Sequence, residues 1–531
     1  MPSAPWWTCY TAWVAASVGV AVRINRNVEE PYMDEIFHVY QAQAYCRGDW
    51  TYWDPALTTP PGLYLVPAAL ALAERYLEPI LATFPAKIAS FDPCSLSSLR
   101  TVNLLLSILL PFLYPSLLHH LHTSSGDTRP LRRSYDWEGL VIAMFPLIQW
   151  WSWLFYTDMA SVVCVLLCWR AALRKRHLSS ALLGAVSLLF RQTNIVWVAF
   201  VAAQAAIRVL GLPKKEGKSA GKTGIDPLLW DARPVDLVKT PLAVLRVAFT
   251  RLPNLAPVIA AYLPVFLAFL AFIRWNGGIV LGESVLVASK TSSLTPLPAG
   301  DKQNHIATVH VAQLYYLVAF AGVLFAPLVL MPVRAGCHRV RSACYGLFGS
   351  LTHATFSILA LAVSCYTIQH YTIAHPFLLA DNRHYCFYLW RRVINLRWWT
   401  RYALSIGYLT AGRLIYDQLA HAHLMALSTL MLLVGATSAV LIPSPLLEPR
   451  YFLLPLLILR LYFSPSTTSF TSLDKRRRLI LEAAFYLAIQ AACVWLFLQK
   501  PFVWDIQVGA DGKGHEGRDE REVGRLQRFM W

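Results

Sequence analysis

The run VAQLYYLVAFAGVLFAPLVLM, from Val311 to Met331, carries no charged side chain. An α-helix rises ~1.5 Å per residue, so a run of this length reaches across the ~30 Å hydrocarbon core of a bilayer. In lipid such a helix satisfies its backbone internally and its side chains match the solvent. Residues 258–273 and 424–442 read the same way. Composition agrees: of 531 residues, 56% are hydrophobic and 15% charged, with a mean hydropathy of +0.44. Soluble domains carry about a quarter charged residues. The sequence therefore predicts an all-α polytopic membrane protein, a single bundle of about 12 to 14 transmembrane helices.

Lys and Arg number 47 against 30 Asp and Glu, a net charge of +17. Such an excess points either to nucleic acid or to the basic cytoplasmic loops of a membrane protein, and the second reading accounts for most of it. Four basic segments interrupt the apolar runs: 170–177, 211–253, 333–346 and 474–478. Placing all four on the cytoplasmic side fixes the rest by parity. Residues 178–210 then cross twice in two short halves, broken at Arg191–Asn194 near the far face. Phe155–Asp158 falls on that face, between helices at 138–155 and 158–173. Residues 25–100 become one long far-side loop, in which Leu63–Ala73 is too short to cross and reads as an interfacial helix. Arg23 and Arg26 run against the charge rule, and parity outweighs them; Arg391, Arg392, Arg397 and Arg401 near the far interface also run against it, which points either to a wrong count or to a job for these arginines. The 211–253 segment, Gly-rich in KKEGKSAGKTG, reads as a flexible cytoplasmic loop, and 500–531 as a C-terminal tail. Trp6–Val22 lacks a basic leader and a cleavage signal, and reads as a retained first span.

Ten cysteines include no C-x-x-C spacing, so zinc ribbons and thioredoxin-type redox motifs are not indicated. Cys164 and Cys168 share a helix face as packing residues. Cys46 and Cys94 are able to pair if their loop lies in an oxidising compartment.

Polar motifs gather on the far face. PYMDEIF places Asp34 and Glu35 side by side; WDPALTTPPGLYL carries Trp53 and Asp54; FYTD ends in Asp158. RQTN holds Arg191, Gln192 and Asn194, DNRHY holds Asp381, Arg383 and His384, and LLEPRYF holds Glu448 and Arg450. Ionisable groups at membrane margins are costly unless paired or functional. Carboxylates accept from sugar hydroxyls, and the guanidinium fork suits phosphoryl oxygens. Transfer of a sugar with inversion needs one base for the attacking hydroxyl and positive charge for the leaving phosphate. Each motif also has a plainer reading. Asp34 and Glu35 serve equally as helix-capping or solvated loop carboxylates, Trp53 as an interface anchor, RQTN as a self-satisfied helix break, and Asp381 as the ion partner of Arg383.

Together EPYMDEIFHVYQAQAYC, WDPALTTPPGLYL, FRQTNIVWV, HPFLLADNRHYCFYLWRR, LLEPRYFLLP and the terminal RFMW resemble the dolichyl-phosphate-glucose α-1,2-glucosyltransferases of the endoplasmic reticulum, in family order from residue 30 to 531. The resemblance implies a GT-C-type membrane fold with interfacial helices in a large first lumenal loop, and a lumenal active site in the endoplasmic reticulum membrane. It implies dolichyl-phosphate-glucose as donor, a dolichyl-pyrophosphate-linked oligosaccharide as acceptor, inversion from a β-linked donor to an α product, and the closing step of donor assembly for N-glycosylation. It maps the catalytic base to Asp34, with Glu35 as the adjacent alternative, and implies no metal and no cofactor. Roles for Arg191, Arg383 and His384 at the donor phosphate rest on the residues themselves. Rival readings are a mannose-dependent transferase of the same kind, a polytopic lipid or sugar transporter, and a non-catalytic membrane regulator. Transporters usually show internal repeats, and none is visible between the halves.

Overall fold

The computed structural model describes residues 2–81, 92–123, 132–212, 224–281, 307–330, 333–463, 472–503 and 524–531. Most of KKEGKSAGKTG, the 291–304 region and 504–523 of the tail lie outside the described residues. The first half of the chain forms α1 (Ala4–Asn27), α2 (Glu35–Cys46), α3 (Gly62–Leu81), α4 (Leu96–Thr123), α5 (Arg132–Ala143), α6 (Pro146–Ser152), α7 (Asp158–Leu173), α8 (His177–Leu188), α9 (Asn194–Leu210), α10 (Asp236–Thr250) and α11 (Leu252–Asn276). Longer helices after it include Ala312–Leu324, Val333–Phe348, Leu351–His370, Thr400–His421, Leu427–Leu441, Leu453–Tyr462 and Ser472–Gln499. Strand among the described residues is confined to the pair Phe502–Val503 and Leu526–Gln527. The protein is an all-α polytopic membrane protein. Among the described residues, Leu96–His122, Leu252–Asn276, Leu351–His370 and Leu473–Gln499 are long and apolar enough to span a bilayer, and several apolar helices are shorter.

Three details differ from the sequence reading. The Val311–Met331 run is not one helix: it breaks at Phe325 before Ala326–Leu330, where Pro327 lacks the N–H that an unbroken helix needs. α3 runs 20 residues rather than stopping at Ala73, although among the described residues it is not one of the helices long and apolar enough to span. Beyond Ala73, Arg75 Nη2 donates to the Cys46 carbonyl at 3.0 Å. The second half of 211–253 is not loop but α10.

The chain divides into two compact units. The first comprises Met1–His120, Ile148–Gly211 and Ala248–Ile306. Its packing inverts the soluble pattern. On α4 the polar residues Arg100, Asn103 and Ser107 are buried, while Leu105, Leu109 and Phe112 are exposed, an arrangement suited to a helix whose solvent is lipid. Buried Asn103 Nδ2 donates to the carbonyls of Leu154 (2.7 Å) and Tyr156 (2.8 Å), satisfying the irregular turn between α6 and α7. α8 and α9 are the two short halves expected around RQTN, packed against α7 and α11.

The second unit comprises Leu121–Leu147, Leu212–Val247 and Ala307–Trp531. Its interior holds Arg460, bonded through Nη1 to Glu138 Oε1 (2.9 Å) and through Nε and Nη2 to Glu482 (2.6 and 2.8 Å). Tyr486 Oη donates to Glu482 Oε1 at 2.9 Å, and all four residues are fully buried. Removing one partner from a buried ion cluster costs about 3–5 kcal/mol, whereas an apolar replacement of the whole cluster is often neutral. Arg460→Ala should therefore lower the unfolding temperature in detergent sharply. The triple replacement Arg460→Met, Glu138→Leu, Glu482→Leu should recover most of that loss. A triple variant no better than the single one would remove the stranded carboxylates as the cause.

Candidate active site

The turn before α2 is built around Glu35. Its carboxylate accepts Arg100 Nε on Oε1 (2.9 Å) and Arg100 Nη2 on Oε2 (2.6 Å). It also accepts the backbone N–H of Tyr32 (3.1 Å) and of Phe155 (2.7 Å). Arg100 Nη1 turns to Asn25 Oδ1 (3.0 Å) and the Val28 carbonyl (2.9 Å). With 0% exposure and four donors, the Glu35 carboxyl is consumed by structure. It ties α1, α2, α4 and the FYTD turn to one point.

Two residues before Glu35 the backbone is unusual. Met33 has φ +56°, a left-handed conformation that a non-glycine residue adopts only when its surroundings impose it. Asp34 follows, half-buried, directly before α2. Its N–H donates to Tyr156 Oη at 3.2 Å, and its carbonyl accepts from Phe37 and His38. One turn on, His38 Nδ1 lies 2.7 Å from Tyr64 Oη, with its ring edge-on to Tyr156 at 5.9 Å.

The WDPALTT loop is laced to the same elements. Gln41 Nε2 donates to the Tyr52 carbonyl (2.8 Å), and Gln41 Oε1 accepts the N–H of Asp54 (2.9 Å). Asp54 Oδ1 accepts from Ala56 N–H (2.9 Å), so Asp54 holds its own turn. Half-buried Trp53 packs edge-on against Tyr64, 6.4 Å between centroids. Gly62 N–H donates to the Leu189 carbonyl at 2.8 Å. A Cβ there would stand 2.6 Å from that oxygen, so only glycine allows the approach. A disulfide joins Cys46 to Cys94, a pairing the sequence left open.

FYTD and RQTN meet across α7 and α8. Asp158 Oδ1 pairs with Arg191 Nη2 at 3.3 Å, Asp158 buried and Arg191 partly accessible. Gln192 Nε2 donates to the Thr58 carbonyl (2.7 Å). Asn194 Nδ2 donates to Ser161 Oγ and the Ser187 carbonyl, each at 2.8 Å. The first unit thus holds Asp34, Glu35, Trp53, Asp54, Asp158, Arg191, Gln192 and Asn194, with the FYTD turn bonded to Glu35 and the RQTN turn bonded to Asp158 and to the WDPALTT loop. Within it Glu35, Asp54, Gln192 and Asn194 are committed to protein contacts.

The remaining candidates lie in the second unit. Asp381 receives Arg383 Nε on Oδ1 (2.9 Å) and Nη2 on Oδ2 (2.7 Å). Burial alone would raise the Asp381 carboxyl; the bonded Arg383 and the nearby His384 outweigh it and hold it below the usual carboxylate range. Arg383 Nη1 donates to Gln527 Oε1 (3.1 Å), and His384 Nδ1 lies 2.9 Å from the Trp531 carbonyl. Backbone bonds from Met530 N–H to the Arg383 carbonyl and from Tyr385 N–H to the Met530 carbonyl, both 2.9 Å, sew RFMW onto DNRHY. Glu448 and Arg450 are ion-paired with each other.

Sequence reading missed Arg100, Tyr156, His38 and Asn103. Arg100 had a signal, a charge inside an otherwise apolar span; the others reveal themselves only through partners distant in sequence.

If the Glu35–Arg100 pair carries this turn, Glu35→Ala and Arg100→Ala should each cost about 3–5 kcal/mol. The double variant should cost little more than either alone. Melting of the four proteins in detergent measures the coupling, and additive losses would show that the two side chains act separately.

A family model described as the DIE2/ALG10 family matches residues 28–461. Three similar proteins carry the name Dol-P-Glc:Glc(2)Man(9)GlcNAc(2)-PP-Dol alpha-1,2-glucosyltransferase. The Arabidopsis thaliana protein is 30% identical, with 97% of this chain and 97% of the relative covered. The Rattus norvegicus protein is 32% identical, covering 96% of this chain and 94% of its own. The Yarrowia lipolytica protein is 30% identical, covering 98% and 97%. No solved structure matches.

Proposed function

The chain belongs to the DIE2/ALG10 family, and from that premise we propose that it is the glucosyltransferase that moves glucose from dolichyl-phosphate-glucose onto diglucosylated, dolichyl-pyrophosphate-linked oligosaccharide in an α-1,2 linkage. The observation that carries this reading is the shared name of relatives aligned over nearly their whole length. A mannose donor or a transport role has no comparable support.

The chemistry is assigned to the first unit. Asp34 takes the proton from the 2-hydroxyl of the acceptor's terminal glucose. That oxygen bonds to C1 of the donor glucose from the face opposite the phosphate. The C1–O bond breaks, its electron pair leaves with dolichyl phosphate, and the β-linked donor becomes an α product. Asp34 rather than Glu35 is assigned this role because four donors already occupy the Glu35 carboxylate. Arg191 is assigned to the leaving phosphate and Asp158 orients it, since a guanidinium takes phosphoryl charge well. Arg383 is less suited, being chelated by Asp381 and bonded to Gln527. Trp53 offers an aromatic face for a sugar ring.

The reaction is placed on the lumenal face of the endoplasmic reticulum membrane. The Cys46–Cys94 bond supports this side, because it lies in the loop that carries Asp34 and such bonds persist in oxidising compartments.

A general base contributes ~10²- to 10⁴-fold. Asp34→Asn should therefore lower glucose transfer by at least about two orders of magnitude while the protein still accumulates in microsomes. Purified protein, dolichyl-phosphate-glucose and the diglucosylated acceptor, followed by linkage analysis of the product, measure this; near-wild-type transfer by the variant refutes the assignment. Dolichyl-phosphate-mannose, run in parallel, should give no product.

Metal independence is part of the proposal, with arginine supplying the positive charge. Chelation by EDTA should leave the rate unchanged, and a loss restored by added divalent cation would overturn it.

A further inference from the structure

α10 lies inside the segment whose sequence reads as a flexible loop, and it has no part in the chemistry above. Val238, Leu242, Leu245 and Phe249 lie on it at intervals of four, three and four residues, and Leu252 follows three later. At about 100° per residue this spacing puts them in one narrow stripe. All five are strongly exposed, from 51% at Leu252 to 77% at Phe249, whereas Thr240 on the opposite face is buried. Five large apolar side chains in a row facing water would be an aggregation liability. The stripe therefore has an occupant.

Two observations identify it. First, a single residue, Arg251, separates α10 from α11, a helix long and apolar enough to span the bilayer. The covalent link holds the end of α10 at the bilayer surface. At 15 residues α10 itself spans only ~22 Å, short of the ~30 Å core, and it carries Lys239 and Arg246, so it does not cross. α11 itself exposes Ile259, Leu263, Leu267 and Leu270, residues that face the hydrocarbon in a spanning helix. Second, the charge beside the stripe is of one sign. Lys239 and Arg246 fall on its flank, and Arg233 and Arg251 bracket the helix, all four exposed. Asp231 and Asp236 sit at the N-terminal end, away from the stripe's C-terminal half. Apolar bodies with cationic heads along one edge match the boundary between acyl chains and anionic headgroups.

We propose that α10 is an interfacial helix that lies in the surface of an anionic membrane, its Val238–Phe249 stripe among the acyl chains and its lysine and arginines at lipid phosphates or carboxylates. The proposal is independent of the catalytic reading, because it concerns how one segment rests on lipid and is tested without turnover.

The test uses the full chain in nanodiscs. With exposed Cys9, Cys337 and Cys344 replaced by serine, nitroxide labels are placed one at a time through Val238→Cys, Leu242→Cys, Leu245→Cys, Phe249→Cys, Lys239→Cys and Arg246→Cys. Collision with oxygen, which concentrates in acyl chains, is compared with collision with a water-soluble nickel chelate. In discs of phosphatidylcholine with phosphatidylserine, the four stripe positions should show a severalfold higher ratio of oxygen to nickel collision than the two flank positions. Strong nickel collision at all six positions would mean that the stripe faces water, and overturns the proposal. Weak collision with both reagents at the stripe would mean that protein covers it, and overturns the choice of lipid. Charge is tested by Lys239→Glu with Arg246→Glu. This pair should lower the stripe ratio in phosphatidylserine discs and leave it unchanged in pure phosphatidylcholine. Equal effects in both lipids would overturn the anionic part.

Discussion

The buried pair of Glu35 and Arg100 is the constraint on which the acidic turn of this protein depends. An isolated charge in an apolar bundle is expensive. Each of these two is retained because the other, together with backbone groups of two separate segments, residues 28–32 and the FYTD turn, satisfies it. The arrangement does more than avoid a penalty. It gathers the ends of α1 and α2, the flank of α4 and the FYTD turn at one point, beside a Met33 whose backbone is left-handed. Asp34 inherits its position from that knot.

The same logic recurs in the second unit. Arg460, Glu138, Glu482 and Tyr486 form another closed polar cluster in apolar surroundings. DNRHY is closed by Asp381, Gln527 and the last residues of the chain. Where lipid takes the place of water, apolar side chains have little to gain by turning inward, and buried polar contacts carry much of the specificity. The lipid-facing apolar residues of α4 and the polar row behind them, Arg100, Asn103 and Ser107, show the arrangement in a single helix.

This logic also explains how far the sequence could be read. Membrane class followed from apolar runs, and the break at RQTN from four polar residues between two short apolar halves; both signals are local. The choice between Asp34 and Glu35 was not local, because the donors that fill Glu35 come from Arg100 and Phe155, far along the chain. Asn194 and Gln192 look equally suited to sugar and to backbone, and only their bonds to Ser187 and Thr58 distinguish the two. α10 was hidden by its setting: its heptad-spaced stripe is legible once the segment is known to be helical, but the glycines and lysines before it bias the reading towards loop. The long run at 311–331 misled in the other direction, since hydropathy does not register the missing N–H of Pro327.

The Cys46–Cys94 bond bears on how the protein is made. Its two cysteines stand 48 residues apart, both ahead of α4, so the segment between them leaves the ribosome while most of the helices remain unsynthesised. Oxidation can therefore fasten the end of α2 to the residues ahead of α4 before their partners FYTD and RQTN exist.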